Sequence, residues 1–280
     1  MNRLHHYRRT IVPAVAALGI ACFCAFASLA ARAESAPLSA DDIIRRAVDR
    51  AESHGSTFAG LDYEYHKHTI VEEVDRKGRL KDHKEKLYNS TVEAGRTYSK
   101  LVQINGQDLS PSELKKEEDR DAAERAKILD TKTPSKAGDR ENMLTPELVA
   151  RYRFTVAGQE TVKGRAAYKL DFAPRSSNLP VRKLTDRFMN HIAGTVWIDA
   201  EDFEIARAEV HLQAEVDLWG GLIGTLRRCD FSFTRSRSPE GFWFNSFSHG
   251  IFEGRKLLEP MLIRTMSETS DFHRVSLARN

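Results

Sequence analysis

Cysteine is scarce in this sequence: Cys22, Cys24 and Cys229 are the three in 280 residues. The first two sit in an uncharged run near the start, so the remainder carries one thiol and no internal disulfide. Catalytic signatures are missing as well. There is no G-x-S-x-G, H-E-x-x-H, Walker lysine loop, G-x-G-x-x-G or C-x-x-C. No nucleophile elbow, zinc protease, phosphate loop or dinucleotide site is therefore indicated, and the chain reads as a non-enzyme with no cofactor. Acids are everywhere interleaved with bases, which leaves no isolated carboxylate pair. No internal repeat occurs, and after residue 33 no apolar run is long enough to cross a bilayer.

What is present begins with an export signal. Arg3, Arg8 and Arg9 precede an uncharged stretch from Thr10 to Ala30, which ends at Ala31-Arg32-Ala33. A basic head, an apolar middle and a small-x-small exit predict a signal peptide cleaved after Ala33. An uncleaved anchor is the alternative, since the stretch could just span a membrane. Pro13 and the Ala-x-Ala exit favour cleavage. Arg8-Arg9 lacks the rest of a twin-arginine motif, and neither Cys22 nor Cys24 follows the leucine of a lipidation site. Cleavage removes four of the 43 basic residues and none of the 40 acidic ones. The 39 that remain nearly balance the acids, so no global basic excess is left to bind nucleic acid.

Residues 34–280 are read as one domain. Ser39 followed by Asp41 and Asp42 is a helix-capping pattern, and Ile43, Ile44, Ala47, Val48 and Ala51 form an apolar stripe at helical spacing. Strands are predicted over 61–74, 80–93 and 96–104, with Asn105-Gly106 as a turn. Residues 107–145 differ: Ser110, Pro111 and Glu113 start a second helix whose body is nearly all charged. This segment reads as a surface insertion, solvated rather than partner-binding, with residues 131–140 as a link. Further strands are predicted over 152–157, 166–172, 195–199, 203–216, 226–236, 242–252 and 261–275, with a short helix near 182–192.

The most informative pattern lies between 206 and 217. Ala206, Ala208, Val210, Leu212, Ala214 and Val216 alternate with Arg207, Glu209, His211, Gln213, Glu215 and Asp217. A period of two predicts a strand apolar on one face and wet on the other. Phe231 and Phe233 continue the apolar set in the next strand, with Cys229 in phase as a packed thiol. The fold class is therefore α+β, mainly β: one curved antiparallel sheet with helices over its apolar face. A single helix near 39–53 masks only part of such a sheet. Small residues at 206, 208 and 214 leave space that either other helices fill or an apolar ligand occupies. Pattern alone favours the filled core. His66 and His68 share a strand face at metal-ligand spacing, but no third ligand accompanies them, and a polar surface is the simpler reading.

Gly158, Gly164, Tyr168, Leu170, Phe172 and Pro174, followed by Gly194, Trp197, Asp199, Phe203 and Arg207, form a pattern that resembles the outer-membrane lipoprotein-sorting family, the LolA/LolB-like carriers. The resemblance is specific over about 158–212 and loose over 39–276; the charged segment at 107–145 departs from the compact carriers. It implies a half-barrel with an apolar cavity on the concave face, lined by Ala206, Ala208, Val210, Leu212, Ala214, Val216, Phe231 and Phe233. It also implies a periplasmic carrier whose partners are a lipid or lipidated protein, with transient membrane contact and no catalytic residues. The alternative is an envelope structural or regulatory protein with a filled core, acting through the 107–145 segment.

Overall fold

A computed structural model describes residues 37–57, 63–75, 77–93, 96–130, 144–176, 178–218, 224–256 and 259–275. The export signal expected over 1–33 and the link expected over 131–140 lie outside the described residues. Those from Ser39 onward belong to one compact unit.

Helix α1 spans Ala40–Thr57. The Ser39 hydroxyl accepts the Asp42 amide at 3.1 Å and donates to the Asp42 carboxylate at 2.7 Å. This start satisfies a free amide and places acid at the positive end of the helix dipole. Ile43, Ile44, Ala47 and Val48 are buried, as their spacing predicts. Helix α2, Pro111–Asp130, opens on a reciprocal box: the Ser110 hydroxyl accepts the Glu113 amide, and Glu113 accepts the Ser110 amide. Two short helices follow, α3 over Pro146–Val149 and α4 over Leu184–Met189.

Twelve strands make one sheet: β1 Tyr63–Val74, β2 Leu80–Glu93, β3 Arg96–Ile104, β4 Gln107–Asp108, β5 Tyr152–Val162, β6 Arg165–Pro174, β7 Ile192–Asp199, β8 Ile205–Leu212, β9 Val216–Leu218, β10 Gly224–Arg237, β11 Trp243–Lys256 and β12 Glu259–Arg274. The order is β4-β3-β2-β1-β12-β11-β10-β8-β7-β6-β5, with β9 beside β10. Every pairing is antiparallel. The sheet is curved and unclosed, a half-barrel with β4 and β5 as its edges. These two strands are neighbours along the chain yet stand at opposite edges. The charged segment that follows β4 therefore lies in the stretch of chain between the two edge strands.

Turn chemistry sets the register at two hairpins. Asn105 and Gly106 both have positive φ, 51° and 74°, the pair of values a two-residue type I′ turn needs. Lys163 and Gly164 do the same at 49° and 82° between β5 and β6. The turn between the strands expected over 152–157 and 166–172 is thus confined to Lys163 and Gly164. Gly158 sits instead at a register shift within β5, where φ is 143°.

The long alternation is divided. Strand β8 ends at Leu212, the chain bends through 213–215, and β9 begins at Val216. The Gln213 amide turns to the His191 carbonyl at 2.7 Å, which ties the bend to the residue before β7. Two buried clusters secure one end of the sheet. Val162, Ala167, Trp197, Ala206 and Trp243 form one. Tyr63 and Phe242 form the other, with Tyr65, Phe244 and Phe272 packed against it.

Candidate functional site

The face that α1 covers follows from two rings and a guanidinium. Arg46 lies 5.1 Å over the Phe203 ring, and Phe203 stacks on Tyr168 at 6.3 Å. Alternation along β6 puts Leu170 and Phe172 on that same face as Tyr168. Arg50 reaches down from α1 to Glu204 at 3.1 Å, and Arg235 of β10 meets the other Glu204 oxygen at 2.9 Å. This buried carboxylate joins the helix to the sheet.

Cross-strand register then defines the inner face row by row. One row runs Leu170, Val196, Ala208, Phe233, Ser248, Ser267, Thr69, Lys86. The next runs Phe172, Gly194, Val210, Phe231, Gly250, Thr265, Val71, Lys84. Leu170, Val196, Ala208 and Phe233 are buried, with Leu170 wholly inaccessible. In the second row Phe172, Val210, Phe231, Thr265 and Val71 all remain half-exposed, as do Phe252 and Ile263 beside them. Two glycines keep the second row low. A Cβ on Gly194 would stand 1.9 Å from the Glu209 carbonyl oxygen, and one on Gly250 would stand 2.6 Å from the Phe252 ring. That ring lies across Gly250, so the apolar surface is continuous from β10 to β11.

The eight residues expected to form the apolar face divide into groups. Ala208, Val210 and Leu212 of β8 share the inner face with Phe231 and Phe233 of β10, whose rings are 6.2 Å apart. Val216 pairs with Leu226 from β9 and is buried, with α4 packed near that strand. Ala206 does not belong with them. A one-residue register shift sets Ile205 opposite Ile198 and Arg207 opposite Trp197, and Ala206 packs in the Trp197 cluster. Ala214 falls in the bend after β8 and is exposed. A bulge reverses the facing of one residue and a bend releases another; a period of two in sequence displays neither.

Cys229 is buried in phase with Phe231 and Phe233, and burial together with the neighbouring Asp230 pushes its thiol up to about 11. It is an inert core group. His66 bonds the Asn89 side chain at 2.9 Å, and His68 meets Glu85 at 2.7 Å. Both lie on the opposite face to α1, and among the described residues no group of three His, Cys, Asp or Glu could hold a metal ion.

Polar features also position this face. Asp199 ends β7 and is buried; it accepts a two-pronged bond from Arg165 at 2.7 and 2.8 Å and the amides of Glu201 and Asp202. Burial alone would raise its carboxyl, but the Arg165 fork and the two amides hold it below the usual range. The turn it caps carries Phe203 at φ 56° beneath Arg46. On the far side of the sheet Trp197 donates to Glu160 at 2.9 Å between Lys169 and Arg207. Helix α2 is docked, not free: Glu117, buried, accepts the Leu101 amide of β3 at 2.8 Å, and Arg120 donates to the Ser99 carbonyl. These bonds satisfy a sheet edge that would otherwise be open to another strand. Glu117 stands among charged neighbours in sequence, and only its place in the fold distinguishes it.

No protein-family model and no curated protein matches the chain. Solved structures do. A putative outer membrane lipoprotein-sorting protein domain from Vibrio parahaemolyticus is 14% identical, covers 83% of this chain and 94% of its own, and gives a TM-score of 0.33. A LolA superfamily protein from Nitrosomonas europaea is 11% identical over 86% of this chain and 96% of its own, with a TM-score of 0.29. A DUF1329 family protein from Desulfovibrio piger is 11% identical over 82% and 92%, with a TM-score of 0.30. Identities and scores this low describe a loose likeness of arrangement and carry nothing about ligands. The solved structures to which the chain is loosely similar include a LolA superfamily protein and a putative outer membrane lipoprotein-sorting domain.

Proposed function

We propose that this protein is a periplasmic carrier that holds the acyl chains of a lipid or lipidated protein against the inner face of its half-barrel. The observation that carries this reading is the row Val210, Phe231, Thr265 and Val71, half-exposed across the buried Gly250 and flanked by half-exposed Phe252 and Ile263. Its apolar residues lie beside the part of the sheet that α1 buries, on the same face, with no described helix burying them. Each methylene moved from water to such a surface contributes about 0.8 kcal/mol. Partial burial of a long chain therefore gives useful affinity and still permits release. Val210, Leu212 and Phe231, half-exposed, are assigned to this role; Ala208, Val216 and Phe233 are buried and belong to the core beside it, and Ala206 and Ala214 are not part of it. The charged 107–145 segment joins the sheet edges, and domain 34–280 acts as one carrier unit.

Native mass spectrometry and solvent extraction of the purified protein test the proposal. Bound lipid, reduced several-fold by Phe231→Asp, is the expected result. A protein that stays lipid-free after incubation with phospholipid vesicles would sink it.

A second reading has its own observation. Ala208 and Phe233 are buried by the protein itself, so part of the cavity is a filled core. An envelope regulatory protein acting through the charged connection would have that property. Its signature would be partner binding that survives Phe231→Asp and is lost when charges along Pro111–Asp130 are neutralised.

A further inference from the structure

The inner face changes character in one direction. From β10 toward β2 its two rows pass from Phe233 and Phe231, through Ser248 and Gly250, Ser267 and Thr265, Thr69 and Val71, to Lys86 and Lys84. A third row adds Thr269, Lys67 and Tyr88 on β12, β1 and β2. Lys67 faces Tyr88 and Thr69 faces Lys86 across the β1–β2 pair, so the two lysines are diagonal neighbours on one face. Diagonal positions stand about 7 Å apart, close enough for two flexible ammonium groups to converge on one anion.

Both lysines are half-buried, and neither forms an ion pair among the described residues. The nearby carboxylates of the same face are already engaged: Glu73 holds Lys81 at 2.7 Å and Asp82 holds Lys84 at 2.8 Å. Hydroxyl-bearing residues occupy the neighbouring register positions of the same face, namely Thr69, Ser267, Thr269 and Tyr88. Thr69 and Ser267 lie 3.4 Å apart, oxygen to oxygen. The distance from β10 to β2 is four strand spacings, about 19 Å, the span of an extended acyl chain.

We infer that the occupant of this face is an anionic phospholipid, bound with its acyl chain along Phe231, Phe252, Ile263 and Val71 and its phosphate between Lys67 and Lys86. The inference rests on the carrier reading and adds the headgroup to it. Positive charge and hydroxyl donors gathered at the hydrophilic end of an apolar strip match a lipid with one negative head and an apolar tail. A neutral or zwitterionic lipid would leave the two ammonium groups without net compensation.

The test is lipid extraction with competition. The purified protein is incubated with equimolar phosphatidylglycerol and phosphatidylcholine vesicles, recovered by size exclusion, and its bound lipid quantified by mass spectrometry. Phosphatidylglycerol should be enriched, and Lys67→Gln with Lys86→Gln should lower its recovery about tenfold while phosphatidylcholine recovery is unchanged. Charge reversal at both positions, Lys67→Glu with Lys86→Glu, should abolish the preference, and an unchanged near-ultraviolet spectrum would show that the fold persists. Equal uptake of both lipids by the unaltered protein, or a preference that survives the double substitution, overturns the headgroup site and leaves the carrier reading standing. Uptake of neither lipid overturns both.

Discussion

The two ends of the sheet share one face and differ in what lies on it. Across β6, β7, β8 and β10, Leu170, Val196, Ala208 and Phe233 are buried beneath the region that α1 crosses. In the same two rows across β11, β12, β1 and β2, Ser248, Ser267, Thr265, Thr69, Val71 and Lys86 are half-exposed, and the chemistry shifts from hydroxyl to lysine. Both ends alternate with the same period. Alternation therefore decides which way a side chain points, while coverage decides whether it becomes core. One end behaves as the interior of a small domain, and the other keeps its inward side chains partly open to solvent.

That contrast can be broken or sharpened by substitution. Leu170→Ala, at a position with no accessible surface, should destabilise by about 4 kcal/mol, measured by urea unfolding. A loss under about 1 kcal/mol would mean that the covered end is not the core. Asp199→Asn should cost about 3 kcal/mol at neutral pH, because it leaves Arg165 facing an uncharged partner in a largely buried site. The folded-state carboxyl lies below its ordinary 3.8. Its contribution is thus complete above about pH 4 and is lost as pH falls through the depressed value. Asp199→Asn should accordingly flatten the acid limb of the stability profile, and an unchanged limb would exclude the Arg165 fork as its source.

Cys229 reports on coverage directly. With its thiol near 11 against about 8.5 for a free cysteine, alkylation of the native protein at pH 8 should run on the order of a hundredfold slower than in denaturant. Comparable rates would place Cys229 at the open end instead of the closed one. Glu117→Ala should cost about 1.5 kcal/mol by freeing the Leu101 amide. Faster hydrogen exchange confined to β3 is the accompanying signature, and global acceleration would contradict edge docking. The smallest effect is expected at the open end: Val71→Ala, half-exposed, should change stability by less than about 1 kcal/mol. Its mark should be weaker lipid retention, and a loss as large as that of Leu170→Ala would erase the distinction between the two ends.

Much of the sheet is legible residue by residue. Asn105-Gly106, Ser39 with Asp42, and Ser110 with Glu113 specify a turn and two helix starts by local hydrogen bonding, and each forms where expected. Asp199 likewise caps the turn before Phe203. The apolar face is less readable. Ala206 and Ala208 look equivalent, and a bulge opposite Trp197 and Ile198 separates them. Ala214 looks like a strand residue, and the Gln213 bond to His191 removes it from the sheet. Lys67 and Lys86 are far apart in sequence and ordinary in composition; only the β1–β2 register makes them neighbours.

By itself the sequence determined element type, the main turns, the near balance of charge expected after residue 33 and the presence of a one-sided sheet, because those follow from local dihedral preference and periodicity. Tertiary structure decided the rest. It placed β1 against β12, set β4 and β5 at opposite edges, turned Ala206 to the Trp197 cluster and left part of an apolar face uncovered by any described helix. Those outcomes depend on long-range pairing and on how far one 18-residue helix reaches across a twelve-stranded sheet, and no local interaction carries that information.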